Sequence, residues 1–252
     1  MKNKYSKILV LLTVIVLVLS FVSAEASNRE DNKAKLENNK ANEPLDKITF
    51  IYYKDGTVKE VGREITGRDK CYKLLGVKWS SLPVRYVINP SNSQGLSESF
   101  VTTAISTSAE TWDAATSKEL FNNVYKIDPS ATWDDGGVNP VDYRNEYVFG
   151  YYPDSRVIAV TVIWYTRYGM QIVDYDVLFN TQFNWGDATI NPLAMDLQNI
   201  ATHETGHGVG LSDIYSTSCS QVTMYGYSNE GDTIKRTLEK ADITGLQKMY
   251  GI

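Results

Sequence analysis

The sequence predicts an α+β fold: one twisted mixed sheet backed by two long helices, with a further helix at the C-terminal end. Three observations predict it. A segment with helical period lies around residues 101–112, three strand-like runs follow between 146 and 179, and two more helical segments come after residue 192. Helices and strands thus fall in blocks rather than alternating, the order expected of α+β rather than of βαβ units. The chain has 252 residues, 42% hydrophobic and 22% charged, which suits one large folded domain or two small ones. Seventeen tyrosines add bulk for a sizeable core.

The N-terminus reads as an address. Lys2, Lys4 and Lys7 precede an apolar run from Ile8 to Val22, broken only by Thr13 and Ser20, and the small pair Ser23-Ala24 follows. A basic start, a short apolar core and small residues make a secretory signal over 1–24. Cleavage falls after Ala24, with Ala26 as the next candidate. The rival reading is a retained anchor at the cell surface, but the run is shorter than the ~20 residues a spanning helix requires. The expectation is therefore a secreted protein that meets a membrane only if this segment stays uncleaved. No cysteine lies near it to carry a lipid.

Residues 25–46 are rich in Asn, Lys and Glu and poor in large apolar groups, a solvated composition. ITFIYY (48–53) and TVKEV (57–61) then flank Lys54-Asp55-Gly56, a hairpin-like arrangement. Residues 25–70 hold ten basic and ten acidic side chains, whereas residues 71–252 hold 12 basic and 20 acidic ones. This shift places a boundary near residue 70, with 25–70 a polar propeptide or spacer and 71–252 the main domain. No internal repeat is visible.

The main domain opens with an extended stretch, Val84–Ile88, ended by Asn89-Pro90. Val101, Ala104, Ile105, Ala109 and Trp112 then recur on one helix face, with Ser97 or Ser99 as the cap. The Asp-Asp-Gly-Gly within 133–140 reads as a loop. Glu146–Gly150, Val157–Tyr165 and Gln171–Phe179 read as strands, and 157–165, apolar except for Thr161, as an inner one. A helix is expected from about Leu193 to Val209 and a last one from about Thr237 to Tyr250, where Leu238, Ile243, Leu246 and Met249 share a face.

Charge excludes one function class. The formal net charge is −5, and −8 once the three lysines of the signal are removed, which argues against a general nucleic-acid binder.

The chemistry is concentrated in His203-Glu204-Thr205-Gly206-His207-Gly208-Val209-Gly210-Leu211-Ser212-Asp213, which holds both histidines of the chain. Two histidines four apart on a helix project from one face and can bind one zinc ion. Glu204 lies beside them, near the metal without being a ligand. Gly210 allows the left-handed conformation that turns the chain after the helix. Asp213 can then return as a third ligand, and three protein ligands leave a place for water, the mark of a catalytic zinc site. Two histidines on a helix can also be ordinary core residues. Gly206 and Gly208, poor helix formers at this face, favour close packing there over a generic helix.

This segment resembles the HExxHxxGxxH pattern of the metzincin zinc endopeptidases, and within them the matrixins. Asp213 stands where matrixins have a third histidine, a variant shared with snapalysin-like secreted proteases. Val222-Thr223-Met224-Tyr225-Gly226 is similar to the Met-turn beneath the metal, with Gly226 where matrixins usually have Pro, and 238–251 is similar to their closing helix. The resemblance covers about 71–252. It implies a metzincin-like catalytic domain with an active-site cleft, one catalytic zinc held by His203, His207 and Asp213, Glu204 as general base and Met224 as an apolar floor. It also implies a protein or peptide substrate bound in extended conformation, with Tyr225 in a pocket wall and Ile172–Phe179 as the edge that pairs with it; an inner, fully paired strand is the rival reading of 172–179. The structural zinc of vertebrate matrixins is not expected, since no histidine is left for it. Calcium near Asp134, Asp135 or Asp187 is possible, solvated acidic loops being the alternative.

Matrixin propeptides often place a cysteine on the zinc, but the motif that does so is absent around Cys71. Two cysteines in an exported chain are expected to pair, giving a Cys71–Cys219 disulfide. Two other functions compete with a secreted endopeptidase: a secreted binding or adhesion domain that keeps the fold without the chemistry, and a hydrolase of a non-peptide amide.

Overall fold

The computed structural model describes residues 43–54, 71–133 and 141–252. The expected signal at 1–24, the second half of the hairpin at 57–61, and Asp134 and Asp135 lie outside these residues. Leu45–Ile252 forms one compact unit, and every element below belongs to it.

The main sheet has seven strands. In chain order they are β1 (Leu45–Lys54), β3 (Tyr86–Ile88), β4 (Lys126–Ile127), β5 (Asn145–Gly150), β6 (Val157–Thr166), β7 (Ile172–Asn180) and β11 (Tyr227–Ser228), and they lie side by side as β11-β1-β6-β7-β5-β3-β4. Two short strand pairs complete the set: β2 (Lys73–Leu74) with β10 (Leu211–Ser212), and β8 (Trp185–Gly186) with β9 (Met195–Asp196). β6 runs antiparallel to both neighbours, while the pairs β7–β5, β5–β3, β3–β4 and β1–β11 are parallel. The sheet is therefore mixed, as the sequence predicts.

The aromatic run 48–53 forms a strand of the main sheet, paired with β6 and β11, and the other half of the expected hairpin lies outside the described residues. One expectation is corrected by this order. The run 172–179 is not an edge. β7 lies between β6 and β5 and is buried at every position but Val173. An edge strand shows its backbone to solvent; β7 has both ladders filled. The apolar β6 is an inner strand only because β1 lies along its other side.

Alternation along β6 explains what faces where. Ala159 and Ile163 point into the main core with Tyr147, Phe179 and Ile200, whereas Val160 and Val162 join Val148 and Leu178 on the opposite face. Thr161 falls on the core side with Ala159 and Ile163. Its hydroxyl there is buried and needs a partner, which the candidate metal centre supplies.

The helices cover the core face. α1 (Glu98–Asp113) starts where Ser97 accepts the Phe100 N–H. It packs on α2 (Leu197–Gly208), with the fully buried Trp112 indole donating to the Thr202 carbonyl at 2.8 Å. α2 begins later than its apolar pattern suggests, because Asp196 caps it by accepting the Asn199 N–H while Met195-Asp196 pairs as β9. α3 (Lys240–Tyr250) also starts late, at a Glu239/Asp242 capping box, after a separate 3-10 turn at Ile234–Arg236. Among the described residues no helix is long and apolar enough to cross a membrane.

Cys71 and Cys219 are joined, 148 residues apart in sequence. The bond ties the segment just before β2 to a 3-10 turn, Thr217–Cys219, and Cys219 packs with Ile214 and Val222. Closing so long a loop restricts the unfolded chain strongly. Cys71→Ser with Cys219→Ser is expected to lower unfolding free energy by about 2–5 kcal/mol in denaturant titration. The unreduced wild type should show no thiol that reacts with an alkylating agent, as read by intact mass.

Candidate metal centre

The site is built on the last turns of α2. His203 and His207, one turn apart, both project to the same side and are fully buried. The helix ends at Gly208, and Gly210 turns the chain with φ of +101°. A side chain there would be strained by that φ and would meet the Val77 carbonyl at 2.5 Å. β10 then pairs with β2, and the next residue, Asp213, returns its carboxylate to the two imidazoles.

The three ligand atoms converge. His203 Nε2 lies 3.2 Å and His207 Nε2 3.4 Å from Asp213 Oδ1. A tetrahedral ion with bonds of about 2.0–2.1 Å needs its ligands about 3.3 Å apart by simple geometry. All three atoms are buried and none makes a hydrogen bond. Buried polar atoms without partners are costly, so three meeting at one point fit an ion that would satisfy them together.

The outer contacts prepare each ligand. His203 Nδ1 faces the Thr223 carbonyl at 2.7 Å and His207 Nδ1 faces the Leu211 carbonyl at 2.9 Å. A carbonyl only accepts, so each Nδ1 carries the proton and each Nε2 presents a lone pair. Asp213 accepts from the Tyr215 hydroxyl through its other oxygen, at 3.1 Å. Burial pushes His203 down to about 4, favouring the neutral ligand form. Burial also opposes charge on Asp213, but His207 and His203 beside it more than reverse this and hold the carboxyl far below its usual range. Burial disfavours charge on His207 too; there Asp213 wins, and the imidazole is raised from its ordinary value. A carboxylate between two imidazoles is thus ionised before any metal arrives.

Glu204 is fully buried beside the ligands. Its Oε2 accepts from Thr161 Oγ1 at 2.5 Å, and its Oε1 has no hydrogen-bond partner. Burial raises the carboxyl to about 7. One oxygen is therefore held by β6 while the other is left to take or give a proton near neutral pH.

Met224 lies behind the helix. The segment 222–226 forms a tight turn in which the Ile214 N–H donates to the Met224 carbonyl at 2.8 Å and the Tyr225 N–H to that of Val222 at 3.1 Å. Asp242 of α3 accepts the N–H groups of Thr223 and Met224. A Cβ on Gly206 would lie 2.3 Å from Met224 Sδ and 2.7 Å from Trp112, and one on Gly208 2.9 Å from Tyr175. These two poor helix formers sit where neighbours press on the helix.

β1 covers the other side. Phe50 stacks on the His207 ring (3.8 Å between centroids, 8° between planes) and Tyr52 on the His203 ring (3.9 Å, 4°). No sequence signal assigned Phe50, Tyr52 or Thr161 to this site, nor Lys235, whose ammonium donates to the Tyr52 hydroxyl. The alternation of ITFIYY, which puts residues 50 and 52 on one face, held a usable clue. Of the expected calcium positions, Asp187 is described, and its carboxylate accepts from Thr189 and from Arg236, which also pairs with Asp196. That carboxylate is engaged in holding the start of α2.

The full chain is expected to take up one zinc ion, measured by elemental analysis after dialysis. His203→Ala or Asp213→Ala should weaken uptake by more than the roughly 10–100-fold that losing an outer partner costs. Gly206→Ala, which forces Met224 and Trp112 aside, should cost about 1–3 kcal/mol of stability in denaturant titration.

No curated protein sequence matches this chain. Residues 157–251, from the first residue of β6 to the glycine after α3, match the matrixin family model, and this stretch has a matrixin-type metzincin fold.

Proposed function

We propose that this protein is an exported zinc-dependent endopeptidase. The observation that carries the reading is the meeting of three buried, unpartnered ligand atoms with a buried carboxyl beside them that keeps one oxygen free. His203, His207 and Asp213 are the residues that would hold the ion. Zinc, when bound, supplies Lewis-acid polarisation of a carbonyl and acidification of a water molecule. Glu204 Oε1 takes the proton of the attacking water and passes it to the leaving nitrogen. Thr161 keeps the carboxyl oriented through the other oxygen. Met224 and Trp112 keep the helix carrying these groups in place.

The extended substrate pairs along β6. What supports this is the neighbour that β6 has now: β1 runs antiparallel along it from Leu45 to Tyr53 and parallel to β11 on its far side. A peptide laid between β6 and β11 would meet the same backbone groups. Residues 25–70 are then a propeptide whose strand 45–54 lies on the cleft, and 1–24 the signal that exports it. A non-catalytic binding domain would have no use for a buried carboxyl with an oxygen left free, which favours the enzyme.

Slow casein hydrolysis by the purified full chain, whose β1 covers the site, is expected, lost with chelator and restored by zinc. Glu204→Ala should retain zinc and lose activity by about 10²–10⁴-fold; undiminished hydrolysis by that variant overturns the mechanism. Phe50→Ala with Tyr52→Ala, which strips two buried rings from the covering strand, should raise the rate on an added peptide at least ten-fold, since each truncation weakens seating by about 3–5 kcal/mol. An unchanged or lower rate would count against residues 25–70 as an inhibitory segment.

A further inference from the structure

β1 carries opposite charges at its two ends, and each meets a counter-charge from another part of the domain. Near its start, Asp46 lies opposite Tyr165 of β6. The Asp46 carboxylate accepts from the fork of Arg167, with Nε 3.0 Å from Oδ2 and Nη2 2.6 Å from Oδ1. At its end, Lys54 lies opposite Ser228 of β11. Lys54 Nζ is 2.9 Å from Glu230 Oε1 and 2.7 Å from Oε2. Among the described residues, neither Arg167 nor Glu230 makes another ion pair. Asp46 and Lys54 are eight positions apart, roughly 26 Å of extended chain. Between them Phe50 and Tyr52 lie over the two imidazoles. Arg167 and Glu230 therefore stand at opposite ends of a track that passes the candidate metal centre.

We propose that Arg167 and Glu230 determine which peptides lie along this track: they select an extended chain with an acidic side chain near its N-terminal end and a basic one eight positions later. The proposal rests on the peptidase reading for what replaces β1. Both residues belong to segments that stay when β1 leaves, and both sit on turns fixed without it. Arg167 follows β6 in a turn closed by the Met170 N–H, which donates to the Thr166 carbonyl at 2.9 Å. Glu230 follows β11, where the Gly231 N–H donates to the Ala194 carbonyl at 3.0 Å and the Asn229 N–H to Asp232 Oδ2 at 2.8 Å. A guanidinium presents a rigid fork that a carboxylate meets with two bonds, as Asp46 does. Both pairs are partly exposed, so water hydrates the two charges once β1 is gone and each pair adds little to tightness. Their effect is discrimination. Exchanging the two charges of the peptide sets an ammonium against Arg167 and a carboxylate against Glu230, and like charges repel. The two turns thus fix the direction and register of a chain laid on β6.

The test uses the full chain carrying Glu204→Ala, which prevents turnover, with Phe50→Ala and Tyr52→Ala, which loosen β1. Two labelled decapeptides with blocked ends are titrated by fluorescence polarisation: the sequence of Leu45–Lys54, and the same sequence with Asp46→Lys and Lys54→Asp. They share one composition and one net charge, so only the placement of charge differs. Displacing the resident strand costs the same for both and cancels in the ratio of affinities. At low salt the first peptide is expected to bind at least about five-fold more tightly, the scale of losing two partly exposed pairs and gaining two repulsions. Near 1 M salt, where screening acts within about 3 Å, the ratio should fall toward one. Arg167→Glu with Glu230→Lys should reverse the preference, an outcome that a merely structural role for these residues does not produce. A smaller low-salt ratio, binding of neither peptide, or a preference that Arg167→Glu with Glu230→Lys leaves in place overturns the proposal. Glu204→Ala alone carries the same comparison should the loosened chain not fold. Casein hydrolysis by the wild-type chain is followed in parallel. A charge preference without any hydrolysis would keep the role of Arg167 and Glu230 and reject the peptidase reading, whereas hydrolysis with equal binding of the two peptides would do the reverse.

Discussion

Three electron-pair donors buried at one point are the constraint around which the rest of the site is arranged. His203 Nε2, His207 Nε2 and Asp213 Oδ1 are buried and make no hydrogen bond within the protein. Such a cluster is costly until a cation completes it, and it can be held only if every surrounding contact resists its collapse or rotation. The carbonyls of Thr223 and Leu211 fix the two rings from behind, and Tyr215 fixes the carboxylate. Those carbonyls belong to the turn that carries Met224 and to the bend after Gly210, so the path of the chain beyond the helix is part of the candidate metal centre. Asp242 anchors that turn from α3, and the disulfide anchors the loop between Asp213 and Met224 to the segment before β2.

Close packing behind the helix answers the same demand. Trp112 and Met224 press against Gly206, and Tyr175 against Gly208. Larger residues would push the helix off its neighbours and move both histidines together. Helix propensity is given up at two positions for an approach that only a missing Cβ allows. On the other face Phe50 and Tyr52 shield the imidazoles from water, and the strand that carries them adds backbone pairing along β6. The same strand makes β6 an inner element of the sheet.

Much of this was legible in the sequence. The spacing His203, His207, Gly210, Asp213 carries its own geometry, because a helical turn and one left-handed residue are local properties. The helix around Trp112, the strands at 145–150, 157–166 and 172–180 and the closing helix followed from apolar period. Their boundaries shifted where capping decided the matter: Asp196 and Glu239 start α2 and α3 later than the apolar pattern does. The pairing of Cys71 with Cys219 could be expected from the count of cysteines in an exported chain. The neighbours of each strand could not be read, and the placement of 172–179 at an edge failed for that reason. A strand's sequence records which faces are buried, not which strand fills its ladder.

What the sequence alone determined is the set of chemical groups and their local spacing: two imidazoles on one helix face, a carboxyl beside them, and a second carboxylate within reach after a turn. Only the tertiary structure decided what lies over and under them. Tyr52 and Lys235 are 183 positions apart, and Thr161 and Glu204 are 43 apart. No period or motif links such pairs, because their contact is made by the stacking of β1, β6, α2 and the final turns around one core. Short-range geometry is written in consecutive residues, while the partners that bury, orient and cover a site are chosen by the packing of the whole domain.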